Sequence, residues 1–160
     1  MKELIGIAEQ VAAKLIARKQ TIAVAESSAG GLIAASLLAV PGASAYFLGG
    51  AVVYTRDARR ILMDIPDEAM KGIRSASEPY AKLLAEQARR RFATDWGLSE
   101  TGATGPTGNR YGDAAGHSCM AVAGTATKVI TLETGKSDRQ ANMQLFAATA
   151  LNLLLKELGS

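Results

Sequence analysis

The chain has 160 residues, a length typical of one domain with one hydrophobic core. Hydrophobic residues make up 48% and charged residues 21%, and 18 Lys and Arg against 15 Asp and Glu give a formal charge of +3. That small excess, with an aromatic content of 5%, argues against nucleic-acid binding, because stacking platforms and basic stripes are lacking. One cysteine excludes an intrachain disulfide, and one histidine disfavours a histidine-rich metal site.

No apolar run is long enough to span a bilayer, so we expect no membrane partner. The first residues begin directly in a helical pattern and lack the apolar core of a signal peptide. The cytoplasm is therefore the expected compartment.

Hydrophobic periodicity predicts helices and strands in alternation along the first part of the chain. Apolar residues recur every three or four positions over residues 2–18, which indicates an amphipathic helix. Short apolar runs then alternate with further helical segments. These elements are a strand over 21–25, a helix over 31–38, a strand over 49–54 and a helix over 56–63 begun by Thr55.

The second part continues with helices and then adjacent strands. Asp64-Ile65-Pro66 breaks the preceding helix, and a short one is predicted over 67–73. Ser77, Glu78 and Pro79 form a typical helix start, and that helix reaches Phe92. The remaining elements are strands over 96–101, 117–123 and 128–134 and a last helix that begins in a capping box at 137–140 and reaches Leu158.

This order of elements predicts an α/β fold. Alternating strands and helices require a sheet covered on both faces, so we expect a single three-layer α/β/α domain over residues 1–160. The strands over 117–123 and 128–134 are close in sequence and are expected to form an antiparallel hairpin. The sheet is therefore predicted to be mixed and mostly parallel, with about five strands.

The segment Ser27-Ser28-Ala29-Gly30-Gly31 lies between a predicted strand and a predicted helix. Small residues leave backbone N–H groups uncovered at a helix N-terminus, where the helix dipole favours negative charge. The segment matches neither GxxxxGK[ST] nor GxGxxG, so it predicts an anion site without a nucleotide class. The alternative is a plain tight turn with Ser27 or Ser28 as helix cap.

A glycine-rich loop over 102–116 leads into a strand, which excludes a Walker or Rossmann loop. Ligands of open α/β sheets gather beyond the carboxyl ends of strands. Ala25, Tyr54 and Thr101 each end a predicted strand, so parallel strands would bring three loops together. The alternative is that the glycine-rich loop is a mobile surface excursion.

Ser44 lies in a turn after a predicted helix. A serine nucleophile needs a base within hydrogen-bond reach, and His117 is the only imidazole of the chain. No GxSxG elbow supports a pair of these two residues. From the residues alone, a structural role is favoured for both.

Five ordered segments form a more specific pattern than any single loop. They are AESSAGG, PGASAYFLGGAVVYTRDAR, SASEPYA, TGATGP and SDR, at residues 25–31, 41–59, 75–81, 101–106 and 137–139. In their order and spacing they resemble the C-terminal domain of the CinA (competence/damage-inducible protein) family, including its stand-alone nicotinamide-nucleotide amidases of the PncC type. The resemblance covers about residues 3–158.

The resemblance implies hydrolysis of nicotinamide mononucleotide to nicotinic acid mononucleotide and ammonia, without a metal or cofactor. It implies Ser44 as nucleophile, Tyr54 as proton relay and position 59 as base. It further implies a homodimer or higher homo-oligomer. The implied nucleotide-binding residues are Ser27, Ser28, Gly30, Gly31, Gly102, Thr104, Gly105 and Arg139.

Position 59 departs from the family pattern, which has lysine where this chain has Arg59. A guanidinium stays protonated at neutral pH and cannot accept a proton. Three hypotheses therefore stay open. The first is a working amidase in which Arg59 promotes ionisation of Tyr54, the second a catalytically impaired nucleotide-binding relative, and the third an interaction protein without a functional pocket.

Overall fold

The computed structural model describes residues 1–159, which form five strands and five α-helices. The predicted order of elements is confirmed, and 3₁₀ helices cover Ala43–Ala45 and Asp67–Met70. The bounds are α1 Lys2–Arg18, β1 Ile22–Glu26, α2 Leu32–Leu38, β2 Phe47–Val52, α3 Arg56–Met63, α4 Glu78–Phe92, β3 Trp96–Ala103, β4 His117–Ala123, β5 Thr127–Glu133 and α5 Arg139–Leu158.

The helix starts follow from capping side chains. The hydroxyls of Thr55 and Ser77 accept hydrogen bonds from backbone N–H groups in the first turns of α3 and α4, as predicted. Helix α5 differs, because its cap is Asp138, which accepts from the N–H of Ala141. A carboxylate is the stronger acceptor there and is favoured by the helix dipole, so Asp138 replaces the predicted Ser137.

The sheet is mixed, with strand order β2-β1-β3-β4-β5. Strand β1 pairs in parallel with β2 and β3, whereas the β3–β4 and β4–β5 pairs are antiparallel. Four strands thus point one way and β4 opposes them. The mixed five-stranded sheet is confirmed, but half of its pairs, rather than most, are parallel, because no helix separates β3, β4 and β5 along the chain.

Helices cover both faces of the sheet, which confirms the three-layer α/β/α architecture. On β1, Ile22 and Val24 pack into the core formed with α1, α2 and α5. Ala23 and Ala25 point to the opposite face, where they contact the side chains of α3 and α4. This alternation is the two-residue period of a strand buried on both sides.

Within residues 1–159, none of the helices has the length and apolar character needed for a membrane span.

Candidate active site

A cavity of about 740 Å³ opens at the edge of the sheet where β1, β2 and β3 end. These three strands are parallel, so the loops that follow them meet there. Ser27 follows β1, Tyr54 follows β2, and Gly102 lies near the end of β3; all three line the cavity. The strand order therefore brings together residues that are far apart in the sequence.

The cavity wall carries a net positive charge. Four guanidinium groups line it and face one carboxylate, that of Asp67; they belong to Arg56, Arg59, Arg74 and Arg110. A concave surface with this excess attracts anions. The cavity thus suits a negatively charged ligand.

Arg59 lies on the inner face of α3, with only 9% of its side chain exposed. Its Nη2 donates a hydrogen bond to Asp67 over 2.7 Å, and Tyr80 is its neighbouring phenol. Burial raises the pKa of Tyr80, and the charge of Arg59 opposes that rise. The buried Nε of Arg59 has no hydrogen-bond partner among residues 1–159.

Tyr54 is paired with a different arginine. Its hydroxyl accepts a hydrogen bond from Nη2 of Arg139 over 3.3 Å. Nη1 of Arg139 donates to the carbonyl of Gly105 over 2.6 Å, so this side chain links the loop after β2 to the loop after β3. The contacts do not support the hypothesis that Arg59 promotes ionisation of Tyr54, because Arg59 contacts Asp67 and Tyr80.

The turn between β1 and α2 is not an open anion site. The buried carboxylate of Glu100, on β3, accepts hydrogen bonds from the N–H of Ser27 over 3.0 Å and of Ala29 over 2.8 Å. It also accepts one from the hydroxyl of Ser28 over 2.5 Å. Burial raises the pKa of Glu100, and these donors oppose that rise.

Glu26 occupies the start of α2 in the same way. Its carboxylate accepts hydrogen bonds from the N–H groups of Gly31, Ile33 and Ala34. Positive φ angles at Gly30 and Gly31, +67° and +101°, let the chain turn back over this carboxylate. The predicted anion site is therefore wrong, because the carboxylates of Glu26 and Glu100 already bind these N–H groups. The sequence signal for these internal carboxylates was a glutamate inside each of two apolar strands.

Several predicted nucleotide-binding residues lie outside the cavity wall. Ser28 is held by Glu100, and the buried Thr104 has its carbonyl bound by the side chain of Asn142. A Cβ at Gly30 would meet Met143, and Gly105 binds Arg139 through its carbonyl. The residues so corrected are Ser28, Gly30, Gly31, Thr104, Gly105 and Arg139, the last of which binds Gly105 and Tyr54.

Ser44 lies at the opposite edge of the sheet. It precedes β2, whereas Tyr54 follows β2, so the six residues of Phe47–Val52 separate them. At about 3.3 Å per residue this strand spans roughly 20 Å. Within one chain Ser44 cannot reach a substrate held at Tyr54. Ser27 is the predicted serine that lines the cavity.

Sequence reasoning missed much of the cavity wall. Some of the missed residues lie in the matched segments, Arg56 in 41–59 and Tyr80 in 75–81, but no local pattern marks them as wall residues. Asn109, Arg110 and Tyr111 belong to the glycine-rich loop, and the others precede or begin α4. The missed residues are Arg56, Asp67, Met70, Ile73, Arg74, Ser75, Ala76, Tyr80, Asn109 and Tyr111, and Arg110 of the glycine-rich loop lines the cavity as well. Within residues 1–159, no cluster of His, Cys, Asp and Glu side chains is arranged to hold a metal ion.

Comparison with known sequences identifies relatives along almost the whole chain. The family model of the CinA C-terminal domain matches residues 5–158. A CinA-like protein of Gloeobacter violaceus is 36% identical over 154 residues, which are 95% of this chain and 36% of that protein. One of Anaeromyxobacter sp. (strain K) is 38% identical over 146 residues, 91% of this chain and 36% of that protein. This chain thus spans about a third of these relatives.

Solved structures of similar fold come from several bacteria. The competence/damage inducible protein CihA of Agrobacterium tumefaciens superposes with a TM-score of 0.90 at 25% identity, over 99% of this chain and 96% of that one. The competence damage-inducible protein A of Klebsiella pneumoniae has a TM-score of 0.91 at 24% identity, over 97% and 96%. These similarities show a shared fold.

Proposed function

We propose, since this chain belongs to the CinA C-terminal domain family, that it is an amidohydrolase for nicotinamide mononucleotide. The products would be nicotinic acid mononucleotide and ammonia. The observation that carries the proposal is one cavity lined by Ser27, Tyr54 and Arg59 under an excess of positive charge.

The chemistry begins with a serine in the cavity wall. The hydroxyl oxygen of Ser27 adds to the carboxamide carbon, and its proton passes by way of Tyr54 to the departing nitrogen. The carbon–nitrogen bond breaks, ammonia leaves and an ester to Ser27 forms. Water then hydrolyses that ester, which restores the serine and yields the carboxylate.

The arginines supply charge stabilisation rather than proton transfer. A guanidinium stays protonated at neutral pH, so Arg59 acts as a fixed cation beside the oxyanion that develops on the carboxamide. Arg56 and Arg110, which also line the cavity, provide donors for the phosphate of the substrate.

The experiment is an ammonia-release assay on purified protein. Nicotinamide mononucleotide is compared with nicotinamide riboside, which lacks the phosphate, and with free nicotinamide. We expect turnover of the mononucleotide and at least ~10-fold weaker turnover of the riboside, since one charged hydrogen bond contributes about 1.5–3 kcal/mol. No ammonia from the mononucleotide, at any enzyme concentration, would refute amide hydrolysis.

A second function is nucleotide binding without turnover. The ion pair between Arg59 and Asp67 favours it, because this pair stands at the position where the family pattern has a lysine. In that case nicotinamide mononucleotide raises the melting temperature of the protein. Such a shift without ammonia release would support binding alone.

A further inference from the structure

His117 is the only histidine of the chain, and it lies on β4 with 6% of its surface exposed. Its Nδ1 is 2.5 Å from a carboxylate oxygen of Glu133, and its Nε2 is 2.7 Å from the carbonyl oxygen of Ala76. Both partners are acceptors, so each ring nitrogen has to donate. Only the imidazolium carries two N–H groups, and the contacts therefore fit the protonated ring.

The charged and titratable groups around the ring come from each element packed against it. Glu133 is on β5, Asp113 is in the glycine-rich loop with a carboxylate oxygen 3.7 Å from Nε2, and Cys119 is on β4 with its sulfur 3.9 Å away. Arg74 pairs with Asp113, and Glu78 of α4 accepts from Thr131 nearby.

These surroundings favour the charged ring. Burial alone would lower the pKa of His117, but hydrogen bonds to Glu133 and Ala76 and the charges of Asp113 and Glu133 raise it above its ordinary value. Burial raises the pKa of the Cys119 thiol, so that group adds no negative charge at neutral pH.

One contact of His117 holds a strained part of the cavity wall. Ala76 has a φ of +56°, a left-handed conformation that is uncommon for alanine. Its N–H donates to the hydroxyl of Thr101 over 3.1 Å, and its carbonyl accepts from His117. These two bonds fix the wall segment over residues 74–77, of which Arg74, Ser75 and Ala76 line the cavity.

The second wall segment, over residues 109–113, is held through Asp113. Arg74 forms a fork with this carboxylate, over 2.6 and 3.1 Å, and the side-chain amide of Asn109 donates to it over 2.8 Å. Arg110 and Tyr111, between these residues, line the cavity. Nε2 of the positively charged ring lies 3.7 Å from a carboxylate oxygen of Asp113, so His117 belongs to the same ionic cluster.

We propose that His117 is a positioning residue whose protonated ring clamps both wall segments, so that affinity for an anionic nucleotide falls when the ring loses its proton. The proposal rests on the proposed function for the identity of that ligand. A neutral ring has one N–H and retains only one of its two contacts. The bond to the carboxylate is charge-assisted and stronger, so the carbonyl of Ala76 loses its shortest hydrogen bond. It keeps only the longer contacts from Nη1 of Arg74 over 3.5 Å and Sγ of Cys119 over 3.7 Å.

A proton NMR titration tests the clamp without any ligand, because one histidine gives one set of ring signals. We expect the ring of His117 to titrate above the ordinary pH of about 6.5. The backbone amide signals of Ala76 and Tyr111 are expected to shift with the same midpoint. In Glu133→Gln the midpoint of all three moves to lower pH, whereas in His117→Gln the two amide signals no longer titrate.

The effect of the ring's protonation on ligand affinity is measured as the rise in melting temperature that nicotinamide mononucleotide causes between pH 6.5 and 9. In the natural chain this rise is expected to shrink through the titration of His117. In His117→Gln it is expected to be small and to change with pH only through ionisation of the ligand phosphate. Ionisation of the ligand phosphate is common to both proteins, so their difference reports the ring. Glu133→Gln should move the profile to lower pH, which a merely structural contact would not do.

The outcomes separate the clamp from the amidase. Ring titration at or below about pH 6.5, or a pH-independent shift in the natural chain, overturns the clamp. Coupled NMR titrations without binding at any pH support the clamp and refute the proposed ligand. If His117→Gln does not fold, the Glu133→Gln profile decides, and an unmoved midpoint overturns the clamp.

Discussion

Arg59 and Asp67 form a 2.7 Å ion pair inside the candidate active site, at the sequence position where the family pattern has a lysine. The arginine is almost buried, whereas the aspartate side chain is 57% exposed. This pair gives the cavity a fixed cation but no proton acceptor at position 59.

Replacing Arg59 with lysine is expected to raise the rate of ammonia release. An amine can lose its proton near neutral pH when burial lowers its pKa, and a general base contributes about 10²–10⁴ in rate. Arg60→Lys is the matched control, because Arg60 is on the exposed side of α3 and pairs with Asp57. Equal rates in all three proteins would show that position 59 has no part in proton transfer.

Arg139→Met is expected to weaken the use of the phosphorylated substrate. The side chain loses its hydrogen bonds to Gly105 and Tyr54, so the loops after β2 and β3 are no longer tied together. One charged hydrogen bond contributes about 1.5–3 kcal/mol, which corresponds to a rise of ~10–150-fold in KM. Steady-state kinetics on nicotinamide mononucleotide measure this rise in KM. An unchanged KM would contradict the role of Arg139 in tying the two loops together.

Removing the Glu100 carboxylate is expected to destabilise the fold. Glu100→Ala leaves the N–H groups of Ser27 and Ala29 and the hydroxyl of Ser28 without their acceptor, at about 1–3 kcal/mol for each buried group. The free energy of unfolding in urea should fall by at least ~3 kcal/mol. Glu100→Gln keeps one acceptor and should lose less.

The control for Glu100 is Glu9→Ala, a change at an exposed position of α1. It is expected to alter the free energy of unfolding by no more than about 0.5 kcal/mol. If Glu100→Ala were as stable as Glu9→Ala, the turn after β1 would not depend on this carboxylate.

Asp113 is expected to make the fold sensitive to acid. Burial alone would raise its pKa, but hydrogen bonds from Arg74 and Asn109, together with the charges of His117 and Arg74, hold it below its ordinary value. The stabilisation is therefore fully present above a pH of about 4 and is lost as the pH falls through the lowered pKa. Urea unfolding between pH 2.5 and 6 measures it.

In the same pH range, Asp113→Asn should show a flatter dependence of unfolding free energy on pH. Asp57→Asn, at a side chain that is 73% exposed, should follow the natural chain. Identical slopes for all three proteins would mean that Asp113 titrates alike in the folded and unfolded states.

Much of the fold could be predicted because its signals are local. The capping hydroxyls of Thr55 and Ser77 set the starts of α3 and α4, and hydrophobic periodicity gave the bounds of α1. Whether two strands pair in parallel depends on whether a helix connects them. The short connection between β4 and β5 contains no helix, so their antiparallel pairing could be predicted. The equal number of parallel and antiparallel pairs could not be predicted, because it also depends on the antiparallel pairing of β3 with β4.

The site was predicted less well because it depends on contacts between distant residues. Ser44 lies close to Tyr54 in sequence, yet an extended strand places them at opposite edges of the sheet. Glu100 fills the turn at Ser28 from 72 residues away, a pairing that no local pattern reveals. Tyr80 was predicted only as a residue of the helix after Ser77 and of the segment SASEPYA, but packing of α3 on α4 makes it the neighbour of Arg59.

The most direct test compares ammonia release from nicotinamide mononucleotide by the natural chain, Ser27→Ala and Ser44→Ala, each shown to be folded by its melting temperature. Loss of the serine hydroxyl in the cavity should reduce turnover to the background of the assay, whereas Ser44→Ala should stay within a factor of ~2 of the natural chain, since exposed substitutions away from a site have small effects. Full activity in Ser27→Ala, with activity abolished in Ser44→Ala, would contradict the active site described here.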